Sequence, residues 1–301
     1  MSKASAFVPG HISGFFQVCE ASDPERKGSR NCGPCIDAGV LTSAEVQPSE
    51  RTSIEIFING KKAPEARTSL LAAEQVLRGT PDPSKVMIKH DSRIPIGAGY
   101  GASGAGALGV ALALPKAFDI AMSRPQAAKI AHVAEIGCNT GLGDVGAQLT
   151  GGLVIGVEPG APPYGKWRRI EVPADMKIVC GTLGQISTKD FLKNKEMRGK
   201  SERLGGFALK KLLNAQSLLN FMEVSREFAE GLGLLDDELR GLIKAATSAG
   251  AIGASQVMLG RAVFAAVEKK KLGAVKKAFL EILGPDSVIV AGINDFGARL
   301  V

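Results

Sequence analysis

At 301 residues the chain is long enough for one large domain or two modest ones, and 45% hydrophobic with 22% charged residues is a globular composition. Aromatic residues make up only 5% of the chain, which leaves few platforms for stacking bases, and five scattered cysteines are unlike a secreted disulfide framework. Because the sequence shows no signal h-region and no apolar run that would span a bilayer, we expect a cytoplasmic protein without nucleic-acid or membrane partners, and we further expect a homodimer.

The first third of the chain alternates strand patterns with one helical segment. Residues 6–16 read as a strand with a break at Pro9-Gly10, and strands are also predicted over 36–46, 52–58 and 86–90. Asn59-Gly60 is a strong hairpin signal after the third of these strands. A helix is predicted over 69–78.

The pair Cys32-Gly-Pro-Cys35 copies the spacing of thioredoxin-like redox motifs. In those proteins the pair opens a helix within a βαβ unit, whereas here it precedes an apparent strand. We interpret the two cysteines as structural and keep a reactive thiol as the alternative.

The stretch Pro95–Leu114 reads PIGAGYGASGAGALGVALAL, a glycine-rich loop that runs into a helix. Glycine has no Cβ, so the backbone can approach an anion closely, and the first helical turn adds unpaired N–H groups and the positive end of the helix dipole. We therefore predict a phosphate site here, with Ser103 either capping the helix or ligating a phosphate-bound Mg²⁺. A buried small-residue helix without a ligand is the alternative, but it leaves the glycines at 97, 99, 101 and 104 unexplained.

The spacing Gly99-x-Gly101-x-x-Gly104 also satisfies the dinucleotide-binding fingerprint. A Rossmann turn follows its strand immediately, but residues 91–96 separate the strand from the first glycine. The acid at the expected distance, Asp119, lies near the end of the helix that begins in the loop. The Rossmann interpretation is therefore rejected, and so is a Walker loop, because no Gly-Lys-Ser/Thr follows.

Two carboxylates follow the glycine loop. Glu135 ends a helix predicted over 124–136 with Ser123 as its cap, and Asp144 precedes the pair Gly151-Gly152. Beside a phosphate site, one carboxylate can ligate Mg²⁺ and the other can orient or deprotonate an attacking hydroxyl. Taken alone, Glu135 is better interpreted as a surface helical residue and Asp144 as a helix cap.

The second half of the chain reads strand, long helical region, two strands, helix and strand over 177–180, 207–249, 255–259, 262–267, 272–283 and 288–291. This βαββαβ order is the signature of a ferredoxin-like sandwich. Residues 189–211 carry eight Lys or Arg against three Asp or Glu. Such a segment can attract anionic substrates or simply form a solvated helix face.

The motif Pro-x-Gly-x-Gly-x-Gly-x-Ser over 95–103, together with Pro9-Gly10, Gly141-Leu-Gly-Asp144 and Gly151-Gly152, resembles the GHMP kinase superfamily across essentially the whole chain. Within the superfamily, further segments resemble the archaeal pantoate kinases: residues 9–16, Gly28-Ser29, His132-x-x-Glu135, Thr188-Lys189, residues 258–264 and Phe296-Gly-Ala-Arg299. The resemblance implies a two-domain α+β fold, with an N-terminal ATP-binding domain over 1–165 and a C-terminal ferredoxin-like domain over 166–301.

The resemblance also implies an activity and a set of site residues. The activity is ATP-dependent phosphorylation of the primary hydroxyl of pantoate, which gives 4-phosphopantoate and ADP on the route to coenzyme A. Ser103 and Glu135 would ligate Mg²⁺, and Asp144 would be the base or orienting group. The loop residues that would hold ATP are Gly97, Gly99, Gly101, Ala102, Ser103 and Gly104. The residues that would contact pantoate are Ser29, His132, Thr188, His11 and Arg30.

The chain departs from the expected pattern at the strand over 153–157, which lacks the arginine expected to meet the pantoate carboxylate. Arg30, Arg168 and Arg169 are the candidate replacements. A GHMP kinase for a mevalonate-like or homoserine-like metabolite therefore stays as an alternative. A non-catalytic protein that binds anions or nucleic acid is a second alternative, since it would keep the glycine loop without needing Asp144.

Overall fold

The computed structural model describes residues 2–80 and 82–301 and arranges them as helices and two β-sheets. The strands are β1 (Ser2–His11), β2 (Phe15–Cys19), β3 (Gly28–Pro48), β4 (Ser53–Ile58), β5 (Lys61–Lys62), β6 (Ser84–Ser92), β7 (Leu153–Glu158), β8 (Lys166–Ile170), β9 (Lys177–Gln185), β10 (Gly253–Gln256), β11 (Gly260–Val267), β12 (Val288–Gly292) and β13 (Arg299–Leu300). The helices are α1 (Arg67–Leu77), α2 (Ala102–Ala117), α3 (Arg124–Cys138), α4 (Asp144–Thr150), α5 (Thr188–Lys193), α6 (Lys195–Asn214), α7 (Leu218–Leu232), α8 (Asp237–Ser248) and α9 (Leu272–Leu283).

The long strand β3 organises the nine-stranded sheet. It pairs with β1 and β6 along its second half and with β2 and β7 along its first half. The motif Cys32-Gly-Pro-Cys35 lies inside β3 and not at a helix start, and both thiols are buried and free. Burial raises the pKa of each thiol above its ordinary value, so both stay protonated at neutral pH. This arrangement supports the structural interpretation of the pair.

Helix α2 is buried almost throughout and packs on the nine-stranded sheet. A Cβ at Gly109 would lie 2.2 Å from the Thr42 hydroxyl oxygen, so glycine is required for this close approach of helix to strand. The buried helix and the glycine loop, which the sequence offered as alternatives, are therefore two parts of one continuous segment. Packing fixes the helix, and the glycine loop at its N-terminus faces a cavity.

The second sheet confirms the predicted βαββαβ order. Its strands run β10-β11-β9-β12, and all neighbouring pairs are antiparallel. The long helical region expected over 207–249 is helical but interrupted, because that stretch contains the end of α6 followed by α7 and α8. Ser217 and Asp236 cap the later helices, and Gly233 ends α7 in the left-handed region with φ +81°. These local polar and glycine signals divide an otherwise continuous helical pattern.

Two strands that follow the predicted domain boundary at 165/166 belong to the nine-stranded sheet. β8 pairs with β7, and the C-terminal β13 pairs with β1. The boundary itself stays a prediction. Within the part of the chain that the structure describes, every helix is too short or too polar to cross a membrane.

Candidate active site

The glycine loop and the start of α2 form one wall of a cavity of about 620 Å³. Gly97, Gly99 and Gly101 have φ angles of +76°, +86° and +68°, in the left-handed region that glycine alone adopts without strain. Gly101 is the N-cap of α2, and no side chain caps the helix there. The first N–H groups of α2 are therefore available to an anion in the cavity.

Glu135 is buried beneath the first turn of α2. Its Oε1 accepts hydrogen bonds from the hydroxyls of Ser103 at 2.6 Å and Thr140 at 2.7 Å. Burial, and secondarily the charge of Asp144, raises the pKa of the Glu135 carboxyl to about 7. Its Oε2 is buried and has no hydrogen-bond partner among the described residues.

These two residues fit a magnesium ion bound together with a nucleotide. Mg²⁺ takes oxygen ligands, and in phosphate sites it is held by one or two carboxylates plus the phosphates. The unpartnered Glu135 Oε2 and the Ser103 hydroxyl are such donors. The described residues contain no cluster of three or more His, Cys, Asp or Glu that would hold a metal by itself, as expected where phosphates complete the coordination.

Asp144 opens α4 beside the glycine loop. Its Oδ1 lies 2.7 Å from Nδ1 of His11, a histidine that is fully buried at the end of β1. A Cβ built at Gly101 would lie 3.2 Å from Asp144 Cγ. The carboxylate therefore lies close to the glycine loop, and its side chain keeps 23% of its surface exposed.

The residues predicted to contact substrate divide into two groups. Ser29 and Thr188 line the cavity, and His11 reaches it through Asp144. His132 does not line the cavity, because its Nε2 lies 2.8 Å from the Lys27 carbonyl oxygen and its ring is buried. That burial lowers the His132 pKa.

The three arginines considered for a carboxylate also lie outside the described cavity lining. Arg30 donates to the Val157 carbonyl at 3.1 Å and to Glu158 at 3.3 Å. Arg169 donates to the Thr150 carbonyl, and Arg168 is exposed on β8. The side chains of Arg30 and Arg169 are therefore used within the protein and do not face the cavity.

The cavity lining includes polar residues that were given no role in the site from the sequence, namely Ser13, Asn31, Gln185 and Lys189. Asn31 is buried, and its Nδ2 lies 3.5 Å from the Ser13 hydroxyl. Lys189 is the cationic residue among the described lining residues. In the sequence, the segment Thr188-Lys189 was the signal that indicated this position.

Comparison with known proteins identifies the family. Residues 67–152 match the family described as the GHMP kinases N terminal domain. The chain is 34% identical over 271 residues to the pantoate kinase of Methanocaldococcus jannaschii, and the match covers 88% of this chain and 93% of that protein. It is also 34% identical over 278 residues to the pantoate kinase of Thermococcus kodakarensis, which covers 90% of each chain. The chain belongs to the pantoate kinase family of the GHMP kinases.

A solved structure described as a phosphotransferase related to the CoA biosynthesis pathway superposes on this pantoate kinase family member with a TM-score of 0.91. The two are 28% identical, and the match covers 99% of this chain and 98% of that one. The predicted family, the α+β GHMP fold and the kinase class of the enzyme are thereby confirmed.

Proposed function

We propose that the protein phosphorylates the primary hydroxyl of (R)-pantoate with ATP, giving 4-phosphopantoate and ADP in coenzyme A biosynthesis. The observation that carries the proposal is the position of Asp144 directly against Gly101 of the glycine loop. A hydroxyl bound at this carboxylate lies next to the place where the loop holds a terminal phosphate. The alternative of a binding protein without catalysis leaves this placement unexplained.

The loop and the start of α2 bind the ATP phosphates through backbone N–H groups. Ser103 and Glu135 would hold a magnesium ion, which would neutralise charge on the transferring phosphoryl group. Asp144 orients the acceptor hydroxyl and accepts its proton as the phosphorus–oxygen bond forms. Positioning and charge neutralisation supply most of the rate in such transfers.

The cavity also offers groups that suit a small polar acceptor. Ser13, Ser29 and Asn31 offer hydroxyl and amide groups. Thr188 and Lys189, at the start of α5, offer a further hydroxyl and an ammonium. Pantoate needs hydroxyl partners and a counter-charge for its carboxylate, and these five side chains supply both.

The decisive experiment measures ADP release from Mg-ATP with pantoate, pantothenate, mevalonate and homoserine. Turnover with pantoate alone is the expected result. Turnover with mevalonate or homoserine instead would replace the acceptor while keeping the chemistry. No ADP release with any of the four acceptors, from protein that still binds ATP, would contradict the proposal.

A cytoplasmic location and a homodimer stay predictions.

A further inference from the structure

Gln148 is a fully buried glutamine on α4, one helical turn after Asp144. Residues one turn apart share a helix face, so Asp144 and Gln148 both face the start of α2. Gln148 Nε2 donates a hydrogen bond of 2.9 Å to the Gly101 carbonyl oxygen. A Cβ at Gly101 would lie 2.8 Å from that same nitrogen.

This hydrogen bond acts on the peptide that opens α2. The Gly101 carbonyl also accepts the first hydrogen bond of the helix, from the Ala105 N–H at 2.9 Å. Because a peptide unit is planar and trans, holding the Gly101 carbonyl fixes the direction of the Ala102 N–H on the opposite side of the same peptide. That N–H is one of the first-turn donors that no side chain caps.

Gln148 is held through its backbone as well as through its side chain. Its backbone carbonyl accepts a hydrogen bond of 2.8 Å from the Ala298 N–H, in the C-terminal segment that crosses back to α4. Its Oε1 is buried without a partner among the described residues and lies 3.1 Å from the Cβ position of Gly104. The backbone bond therefore fixes the position of Gln148 on α4, and the bond from Nε2 to the Gly101 carbonyl orients its amide.

We infer that Gln148 is a positioning residue for the phosphate loop. It holds the Ala102 N–H toward the nucleotide phosphates and keeps the loop in register with Asp144 on the same helix. Removing the amide frees the Gly101 peptide to rotate, and the loop loses a preorganised donor. The inference deepens the proposed function, since it rests on the loop binding the ATP phosphates.

The test measures the Kd of ADP and of a non-hydrolysable ATP analogue by calorimetry for wild-type protein and Gln148→Met. Methionine fills a similar volume but donates no hydrogen bond. The expected result is a Kd about ten-fold higher for both nucleotides, with the KM for ATP rising in parallel and the KM for pantoate unchanged. Thr42→Val is the matched control, because it removes a buried hydrogen bond between Thr42 and His90 away from the cavity. It should lower Tm without changing nucleotide Kd.

A nucleotide Kd within two-fold of wild type in folded Gln148→Met would overturn the inference, and so would equal rises in nucleotide Kd and pantoate KM. If Gln148→Met does not fold, Gln148→Leu replaces it with the same expected rise, because leucine also occupies the buried site and has no group that donates a hydrogen bond. Nucleotide binding is measured without an acceptor. Failure of wild type to use pantoate would therefore contradict the proposed function and leave the Gln148 result separate.

Discussion

The Nδ1 atom of His11 lies 2.7 Å from Oδ1 of Asp144, although the two residues are 133 positions apart. The backbone N–H of His11 donates to the Tyr100 carbonyl at 3.0 Å. One residue of β1 therefore contacts both the proposed base and the glycine loop. With the proton on Nδ1, the imidazole donates to one carboxylate oxygen and leaves the other free for the acceptor hydroxyl.

Replacing His11 by leucine removes this donor and lets the Asp144 carboxylate turn. We expect kcat to fall about ten-fold to a hundred-fold, the range for a lost hydrogen bond to a charged group, while nucleotide Kd changes little. His11→Asn is the matched variant, because its side-chain amide can still donate from nearly the same place. Equal losses of kcat in the two variants, measured by steady-state kinetics, would show that the hydrogen-bond donor at position 11 does not support catalysis.

Asp144→Asn keeps the shape of the side chain but cannot accept the hydroxyl proton. We expect kcat to fall by about a hundred-fold or more, in the range of general-base contributions, with nucleotide binding retained. The check is single-turnover kinetics together with calorimetry of ADP binding. Turnover close to wild type would mean that Asp144 is not the base.

Ser103→Ala removes a proposed magnesium ligand and one of two hydroxyls bound to Glu135. We expect the KM for Mg-ATP to rise about ten-fold and the magnesium concentration needed for half-maximal activity to rise with it. Thr140→Val is the control, because it removes the other hydroxyl from Glu135 without removing a proposed ligand. The same magnesium shift in both variants would place the effect on Glu135 and not on Ser103.

The buried Glu135 makes the ligand-free protein sensitive to pH. Its folded-state pKa of about 7 exceeds the ordinary value of 4.5. The neutral carboxyl is therefore favoured in the folded protein, and stability present below the ordinary pKa is lost as pH rises through about 7. The loss is on the order of 3 kcal/mol.

The side chain of Glu135→Gln cannot ionise, so the free energy of unfolding of this variant lacks the pH-dependent contribution of Glu135. Without nucleotide and magnesium, we expect the Tm of Glu135→Gln to rise relative to that of wild type as the pH increases from about 5 to about 8. Thermal unfolding at several pH values measures the difference. A constant difference across that range would mean that the carboxyl does not titrate near neutrality in the folded protein.

Lys189 is the cationic residue among the described residues that line the cavity, and we propose that it takes the place of the arginine missing from β7. We expect Lys189→Met to raise the KM for pantoate about five-fold, as for an exposed ion pair, with the KM for ATP unchanged. Lys193→Met, on the same helix α5 but outside the described cavity lining, is the control. A larger effect on ATP than on pantoate would assign Lys189 to the phosphates.

Local signals were sufficient for most of the fold. The glycine run, the Ser123 cap and the strand alternation predicted α2, α3 and the βαββαβ order, because each depends on neighbours in the sequence. The length of β3 was underestimated, since Cys32-Gly-Pro-Cys35 was placed before a strand over 36–46 and not within it. Its extended form is fixed by pairing with β2 and β7, which lie on either side of it in the sequence.

The proposed site was predictable where a motif carries it and not where the fold assembles it. The glycine motif and the two carboxylates identified Ser103, Glu135 and Asp144 as candidates. The contact of His11 with Asp144 and that of Gln148 with Gly101 join distant segments, and no spacing in the sequence encodes them. The same limit applies to His132, whose burial against Lys27 depends on the packing of α3.

The pairing of β13 with β1 has a consequence for the order in which the protein matures. β1 and β13 lie far apart in the sequence, and beside their pairing the Val301 N–H donates to the Ser5 carbonyl at 3.0 Å. Domains generally fold as units during synthesis, from the N-terminus onward. Here the β1 edge of the nine-stranded sheet stays open until residues 299–301 have been synthesised, so this pairing is a late step in the assembly of the sheet.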